Sequence, residues 1–214
     1  MIAAYLWGAI PSSYLTARYL RGIDIRRFGS GNVGASNAVE AVGLWQGIAV
    51  GAFDCVAKGA LPIVLARATS QGAWVQALVG VAVVAGHNWS PYIGFTGGRG
   101  VATAIGVLLG LSMWRELLVM TVLLGLVGRL IMKDTAFWTL VSMLALPPLT
   151  YLFAEPPALT YTAIAIVLVV IAKRATANRE AVPEGRRWHR VLANRIIWDR
   201  DVSTRERWTT RRES

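Results

Sequence analysis

One stretch of the chain has the residue types of a phosphate-binding loop: Gly29-Ser30-Gly31-Asn32-Val33-Gly34-Ala35-Ser36-Asn37. Glycine permits positive φ angles and close approach of the backbone to a ligand, and consecutive N–H groups in such a loop can form a concave nest for an anion. The stretch follows a basic run and precedes a long apolar segment. We therefore expect a loop that presents hydrogen-bond donors to a phosphate group.

A second glycine-rich stretch lies far along the chain: Gly97-Gly98-Arg99-Gly100-Val101-Ala102-Thr103. It is also basic, and it also stands directly before an apolar run. Each loop alone could be an ordinary flexible connector, because glycine and serine mark turns in general. Two such loops in one apolar chain predict chemistry on phosphorylated substrates at a membrane surface.

Asp54, Lys58 and His87 are ionisable residues that accompany the loops in apolar surroundings. Asp54 and Lys58 lie four residues apart, so they share a helix face and can pair with each other instead of facing lipid. That pair either takes part in the site or only holds helices together. His87 is either a proton acceptor or an interfacial histidine bonded to a backbone carbonyl.

The sequence favours neither a covalent intermediate nor a metal centre. No Ser-His-Asp or Cys-His pattern is evident, and the single cysteine, Cys55, lies in an apolar run. An internal disulfide and a cysteine-based metal site are therefore excluded. We expect the protein to work without a cofactor.

Composition places these residues in a membrane protein. Of the 214 residues, 55% are hydrophobic and 16% are charged, and the mean hydropathy is +0.48. These values differ from those of ordinary soluble domains. The net charge of +10 is explained first by orientation in the membrane and only then by a binding partner, since Lys and Arg concentrate on the cytoplasmic side of membrane proteins.

The apolar segments predict an all-α membrane protein with about seven transmembrane helices joined by glycine-rich cytoplasmic loops. About 20 residues are needed to cross a bilayer as a helix. The predicted spans lie near residues 1–20, 42–66, 74–85, 101–113, 117–132, 135–153 and 158–172. We expect a transmembrane domain at 1–173 and a basic cytoplasmic tail at 174–214.

The distribution of charge predicts the orientation of these spans. Outside the tail, two cations, Arg67 and Arg115, fall on one side of the membrane, and seven fall on the side of both glycine loops: Arg18, Arg21, Arg26, Arg27, Arg99, Arg129 and Lys133. By the positive-inside rule, both loops and the C-terminus then face the cytoplasm. The two loops can therefore share one site.

The tail carries Trp188, Trp198 and Trp208 among arginines. Tryptophan and arginine together are typical of a segment that lies on anionic lipid. Nucleic acid is the weaker interpretation, because the charge is attached to a membrane anchor. We expect membrane lipid and no nucleic acid as a partner of the tail.

In these motifs the chain resembles the bacterial acyl-phosphate-dependent glycerol-3-phosphate acyltransferases. The most specific part is Gly22-Ile23-Asp24-Ile25-Arg26 running into the first loop. The pattern is completed by Asp54, Lys58 and Gly59, and by Gly86-His87 followed by Gly94 to Thr103. The resemblance covers Ala4 to about Thr103. It implies a monomeric, multi-pass enzyme of the bacterial cell membrane with a cytoplasmic active site.

The resemblance also implies a reaction and a set of site residues. The reaction is acyl transfer from acyl phosphate to the 1-hydroxyl of glycerol 3-phosphate, giving lysophosphatidic acid and phosphate in phospholipid biosynthesis. Because acyl phosphate is already activated, the enzyme mainly positions two anions and stabilises an oxyanion. We expect catalytic roles for Ser30, Asn32, Lys58 and His87. We expect substrate binding by Gly29, Gly31, Gly34, Ser36, Asn37, Gly97, Gly98, Arg99, Gly100 and Asn178.

Several features depart from the family pattern. Glu40 stands where the family has an arginine, and Thr96 stands where it has a lysine. The family's third motif, after the last helix, is reduced to Lys173, Arg174, Asn178 and Arg179. A carboxylate at position 40 would repel a phosphate that an arginine would hold. We expect Glu40 to weaken acceptor binding unless another arginine compensates.

Two other functions fit the same residues. An anion transporter could use glycine loops near broken helices as its binding site, although no inverted repeat of hydropathy is visible. A family member that has lost activity could act through its tail, and Glu40 favours that alternative.

Overall fold

The computed structural model describes residues 1–177 and 187–201. In these ranges every element of regular structure is a helix, apart from one isolated bridge between Ser90 and Thr96. Apart from two short 3₁₀ helices, Ile25–Arg27 and Pro91–Ile93, the elements in chain order are α1 Ile2–Gly8, α2 Ser12–Arg21, α3 Ala35–Val42, α4 Leu44–Ala68, α5 Ala73–Asn88, α6 Val101–Gly110, α7 (Trp114–Thr121 continued by Val122–Ile131), α8 Thr135–Leu152, α9 Pro157–Thr176 and α10 Trp188–Trp198.

Three of the described helices are long and apolar enough to cross a membrane: α4, α8 and α9. α5 and α6 are apolar but shorter. α7, which carries Arg115, Glu116 and Arg129, is not among these three helices. The prediction of an all-helical membrane protein is therefore confirmed in outline, and the count of seven spans stays a prediction.

The first predicted span is not one continuous helix. α1 ends at Gly8, and α2 begins at Ser12, directly after Pro11. Proline lacks an N–H and disfavours helical dihedrals in the residue before it, so an unbroken helix through Pro11 is disfavoured. The break brings Ser12 beside α4, where it becomes part of the site described below.

α4 widens near its middle, just before a second proline, Pro62. Residues Phe53–Ala60 form π-helical turns, in which N–H groups bond five residues back. In that pattern Pro62 cannot donate to the carbonyl of Ala57. The indole N–H of Trp7 donates to this oxygen instead, at 2.8 Å. The wide turns carry Asp54 and Lys58, the ion pair expected from the sequence.

Close packing of α4 on α6 brings the ion pair near the second glycine loop. A Cβ added at Gly59 would lie 2.5 Å from the carbonyl oxygen of Thr103, and one at Gly106 would overlap the carbonyl of Cys55. Glycine at both positions therefore permits backbone contact between the helices. Around this contact, apolar side chains of α4 to α9 form the main core, including Ile63, Val83, Leu108, Met143, Leu146 and Ile166.

Contacts between connecting segments fall at two ends of the bundle. At one end, Arg67 donates to Gly110 O at 2.8 Å, and Arg115 pairs with Glu155 at 2.5 Å. At the other end lie both glycine loops and α10, where Arg99 pairs with Asp199 at 2.5 Å. This second end holds the candidate site.

Candidate active site

The first glycine loop is folded around the side chain of Asn37, which is 2% exposed. Its Nδ2 lies 3.0–3.1 Å from the carbonyl oxygens of Ile25, Phe28 and Asn32, and its Oδ1 accepts from Ser30 N at 3.3 Å. Gly29 and Gly31 supply the positive φ angles, 54° and 70°. Sequence reasoning placed the Asn37 side chain on the substrate, whereas the structure uses it to shape the loop.

A salt bridge holds the entrance to this loop. Arg26 Nη2 lies 2.6 Å from Asp24 Oδ2, and Arg26 Nη1 donates to Ile93 O, close to the second loop, at 3.2 Å. The hydrogen bonds from Arg26 lower the pKa of Asp24 below its ordinary value. Thr96, at the position of the family's lysine, donates its hydroxyl to the same carbonyl at 2.7 Å. Arg26 therefore ties the two loop regions together, while Thr96 stabilises its own turn.

Both loops open onto one cavity of about 450 Å³. The first loop lines it with Ser30, Asn32, Gly34, Ala35 and Ser36, and the second with Arg99, Gly100, Val101 and Ala102. Asp54 and His87 also line it. Two stretches that lie far apart in the sequence thus meet at one site.

Two helices begin at the wall of this cavity. α3 follows Gly34 and α6 follows Gly100, and the first residues of both helices are among the lining. The first N–H groups of any helix lack intrahelical partners, and the helix dipole favours negative charge at that end. Two helix N-termini directed at one cavity provide two anion positions.

Three arginines add positive charge to the same lining: Arg99, Arg129 and Arg174. Arg99 is 9% exposed, and its Nε lies 2.5 Å from Asp199 Oδ1. Within the described residues its Nη1 is buried and has no hydrogen-bond partner. A charged donor in that state is suited to a ligand that brings an acceptor.

A buried polar cluster stands beside the cavity. Lys58 Nζ and Ser12 Oγ both lie 2.6 Å from Asp54 Oδ1, and Lys58 also donates to Ser12 Oγ at 3.1 Å. Asp54 and Lys58 are each 1% exposed. The Lys58 ammonium is therefore already neutralised, and Lys58 lines a narrow adjoining gap of about 10 Å³ rather than the cavity. The expected catalytic role of Lys58 is not supported by this position.

His87 connects the cluster to the second loop. Its Nδ1 lies 3.9 Å from Asp54 Oδ2, and it lines both the cavity and the gap. A Cβ at Gly98 would overlap His87 Nε2, and Gly98 N donates to His87 O at 3.2 Å. Gly98 is therefore needed for close packing against His87, and it lies outside the cavity lining.

The cavity gathers part of the predicted set. Ser30, Asn32 and His87 line it from the expected catalytic residues, and Gly34, Ser36, Arg99 and Gly100 line it from the expected binding residues. The remaining described members lie outside the lining: Gly29, Gly31, Asn37, Lys58, Gly97 and Gly98. Asn178 and Arg179 fall outside the described residues. Glu40 is exposed on α3 and does not line the cavity either.

The sequence pointed to Arg174 as part of the reduced third motif, but it did not identify Arg129, Asp199 or Ser12 as residues in or beside the site. Arg129 and Arg174 lie in or at the end of apolar segments, where a charge is expected to be functional, so a signal was present. Arg174 is 2% exposed and donates to Ala136 O and Ile196 O at 2.8 Å. Asp199 had no local signal, because only the fold of the tail brings it to the cavity.

Comparison with known proteins gives one family. The family model described as glycerol-3-phosphate acyltransferase matches residues 1–181. The chain is 38% identical over 218 residues to a glycerol-3-phosphate acyltransferase 5 of Dehalococcoides mccartyi, which covers 98% of this chain and 91% of the relative. It is 38% identical over 179 residues to a glycerol-3-phosphate acyltransferase of Shouchella clausii, covering 80% of this chain and 84% of the relative.

Solved structures give the same result. The crystal structure of PlsY, an integral membrane glycerol 3-phosphate acyltransferase, in its glycerol 3-phosphate form has a TM-score of 0.73 and 32% sequence identity. The alignment covers 81% of this chain and 85% of that chain. The lysophosphatidic acid form has a TM-score of 0.70 over the same shares.

Proposed function

This chain belongs to the glycerol-3-phosphate acyltransferase family, and on that premise we propose that it uses an acyl phosphate to acylate the 1-hydroxyl of glycerol 3-phosphate. The products are lysophosphatidic acid and phosphate, and the reaction serves phospholipid synthesis. One observation carries the assignment to this cavity: two helix N-termini and three arginines open onto a single cavity of about 450 Å³.

Two phosphate groups must be held at once, one on the donor and one on the acceptor. The start of α3, with Ser30 and Asn32, provides one anion position, and the start of α6, with Arg99, provides the other. Arg174 and Arg129 add charge to the same wall. Holding two anions in reacting geometry replaces a bimolecular encounter with an intramolecular one, which is where most of the acceleration would arise.

The chemical step needs no covalent intermediate. The acceptor hydroxyl oxygen forms a bond to the acyl carbon, and the bond from that carbon to the phosphate oxygen breaks. Backbone N–H groups of the first loop and the Asn32 side chain stabilise the negative charge on the carbonyl oxygen. The hydroxyl proton passes to His87, which lines the cavity, or to a substrate phosphate.

An apolar extension of the cavity suits the acyl chain. The lining includes the apolar side chains of Val101 and Ile105 from α6 and of Leu124 from α7. A chain lying there would enter from the surrounding lipid. Its apolar contacts would keep the donor's phosphate at the polar end of the cavity.

The site faces the cytoplasm in this proposal. The contacts at the two ends of the bundle support spans that run in alternating directions. Arg67 and Arg115 make their contacts at one end, and the loop cation Arg99 makes its contact at the other. The transmembrane domain comprises residues 1–173 and the tail residues 174–214. Lys173 and Arg174, which lie on either side of this boundary, are both buried, so the start of the predicted tail belongs to the helix bundle. The protein acts as a monomer, with the rest of the tail near anionic lipid.

The identity of the acyl donor is tested by comparing an acyl phosphate with an acyl thioester. Protein purified in detergent should release phosphate from palmitoyl phosphate only when glycerol 3-phosphate is present. A palmitoyl thioester should yield no lysophosphatidic acid under the same conditions. Acylation from the thioester would refute the acyl-phosphate donor, whereas no acylation from either donor would favour an inactive member or an anion transporter.

A further inference from the structure

The C-terminal segment supplies part of the cavity wall. α10 is followed directly by Asp199, which lines the same cavity as the two glycine loops. α10 packs against the membrane helices through the rings of Trp198 and Phe137, whose centroids lie 5.4 Å apart. Arg174 Nη1 also donates to Ile196 O at 2.8 Å. The tail is therefore anchored by contacts that do not involve the Asp199 side chain.

Asp199 makes a direct ion pair with the arginine of the second loop. Its Oδ1 lies 2.5 Å from Arg99 Nε, with the side chains 22% and 10% exposed. Asp199 has a φ of 55°, in the left-handed region where a helix usually ends with glycine. A residue held in this region at a cavity wall is a candidate for a functional role.

The pairing restrains Arg99 without using all its donors. A guanidinium has five N–H groups, and a carboxylate at Nε leaves donors on the terminal nitrogens. Arg99 Nη1 is buried and lacks a hydrogen-bond partner within the described chain, and the contact between Arg99 Nε and Asp199 Oδ1 is an ion pair without hydrogen-bond geometry. A long flexible side chain that is already fixed loses less entropy when a ligand binds. The Asp199 carboxylate also offsets repulsion between Arg99 and Arg174, which line the same cavity.

We propose that Asp199 is a positioning residue of the acyltransferase, holding Arg99 so that its free N–H groups receive the phosphate of glycerol 3-phosphate. This inference rests on the proposed function. Glycerol 3-phosphate is the appropriate probe because it has little apolar surface, so its affinity depends strongly on its phosphate contacts. The tail then completes the acceptor site instead of only lying on the membrane.

The test compares two tail carboxylates that lie two residues apart. Asp199→Asn should raise the KM for glycerol 3-phosphate by about fivefold or more, the size expected when a hydrogen bond to a charged group weakens. The kcat should change much less, and Asp199→Glu should restore part of the KM. Asp201 is the matched control, because it pairs with Arg195 at 2.6 Å and is not among the cavity-lining residues described. Asp201→Asn should leave KM near that of the unmodified protein.

Three outcomes would overturn the proposal. A lower KM in Asp199→Asn would mean that the carboxylate competes with the substrate phosphate. An unchanged KM would leave Asp199 with a structural role alone, and an equal rise in Asp201→Asn would mean that docking of α10 is what matters.

Measuring the binding of glycerol 3-phosphate by calorimetry distinguishes failure of the Asp199 proposal from failure of the proposed function. If the unmodified protein binds glycerol 3-phosphate but transfers no acyl group, the proposed function fails, and the same ranking of variants is expected in Kd. Absence of glycerol 3-phosphate binding by the unmodified protein would overturn both.

Discussion

At the scale of single residues, Asp54 and Lys58 can be buried among apolar helices because each side chain compensates the charge of the other. Both side chains are 1% exposed and 2.6 Å apart. Removing one partner leaves an uncompensated buried charge, which costs about 3–5 kcal/mol. Lys58→Met alone should therefore lower the thermal unfolding temperature in detergent strongly. The double variant Asp54→Leu/Lys58→Met should recover most of that loss.

The same pair of variants tests the assignment of Lys58. If Lys58→Met kept its unfolding temperature and lost only kcat, the lysine would contact substrate, as the sequence pattern predicted. The structure instead favours a supporting role, because Lys58 already forms an ion pair with Asp54 and donates a hydrogen bond to Ser12 Oγ.

Glu40 is the second residue at which sequence and geometry differ. From the sequence we expected its carboxylate to oppose the acceptor phosphate, but Glu40 is exposed and lies outside the cavity lining. Exposed charges interact by no more than about 1 kcal/mol. Glu40→Arg should therefore change the KM for glycerol 3-phosphate by less than about fivefold. A larger fall in KM, measured by acceptor titration, would return residue 40 to the acceptor site.

At the scale of elements, the second glycine loop depends on close contact with the end of α5. A Cβ at Gly98 would overlap His87 Nε2. Gly98→Ala should therefore displace His87 or the loop and lower kcat at least tenfold, because misplacement of about 1 Å at a reacting centre can cost 100-fold. Gly72→Ala is the matched control, since a Cβ there meets no atom within 4 Å. Equal activity of both variants would show that the packing of loop and His87 is not needed.

The sequence predicted those elements well that depend only on the residue types within the element itself. The long apolar helices α4, α8 and α9 follow from residue types alone. The break at Pro11 could be explained from the sequence, because proline interrupts helices. Its role could not, because it depends on the hydrogen bond from Ser12 to Asp54 on α4. Asp199 could not have been predicted, because its pairing with Arg99 joins positions about a hundred residues apart in sequence.

At the scale of the whole molecule, the proposed orientation can be tested at the two ends of the bundle. Ser36 and Ser70 are both exposed and fall at opposite ends in the seven-span arrangement. Single cysteines at these positions, in a background with Cys55 replaced by alanine, should label from opposite sides of sealed membrane vesicles. The Ser36 position should label from the cytoplasmic side, in agreement with the excess of seven loop cations over two. Labelling of both from one side would contradict the seven-span count.

The central claim is that acyl transfer takes place in the cavity shared by both glycine loops. The direct measurement is a time course of lysophosphatidic acid and phosphate formed from palmitoyl phosphate and glycerol 3-phosphate, for the unmodified protein and for Arg99→Gln. Arg99 lines the cavity and pairs with Asp199. We predict equal amounts of the two products, strict dependence on glycerol 3-phosphate, and loss of at least nine-tenths of kcat/KM in Arg99→Gln, about 1.4 kcal/mol. Full activity of a folded Arg99→Gln variant would contradict the claim.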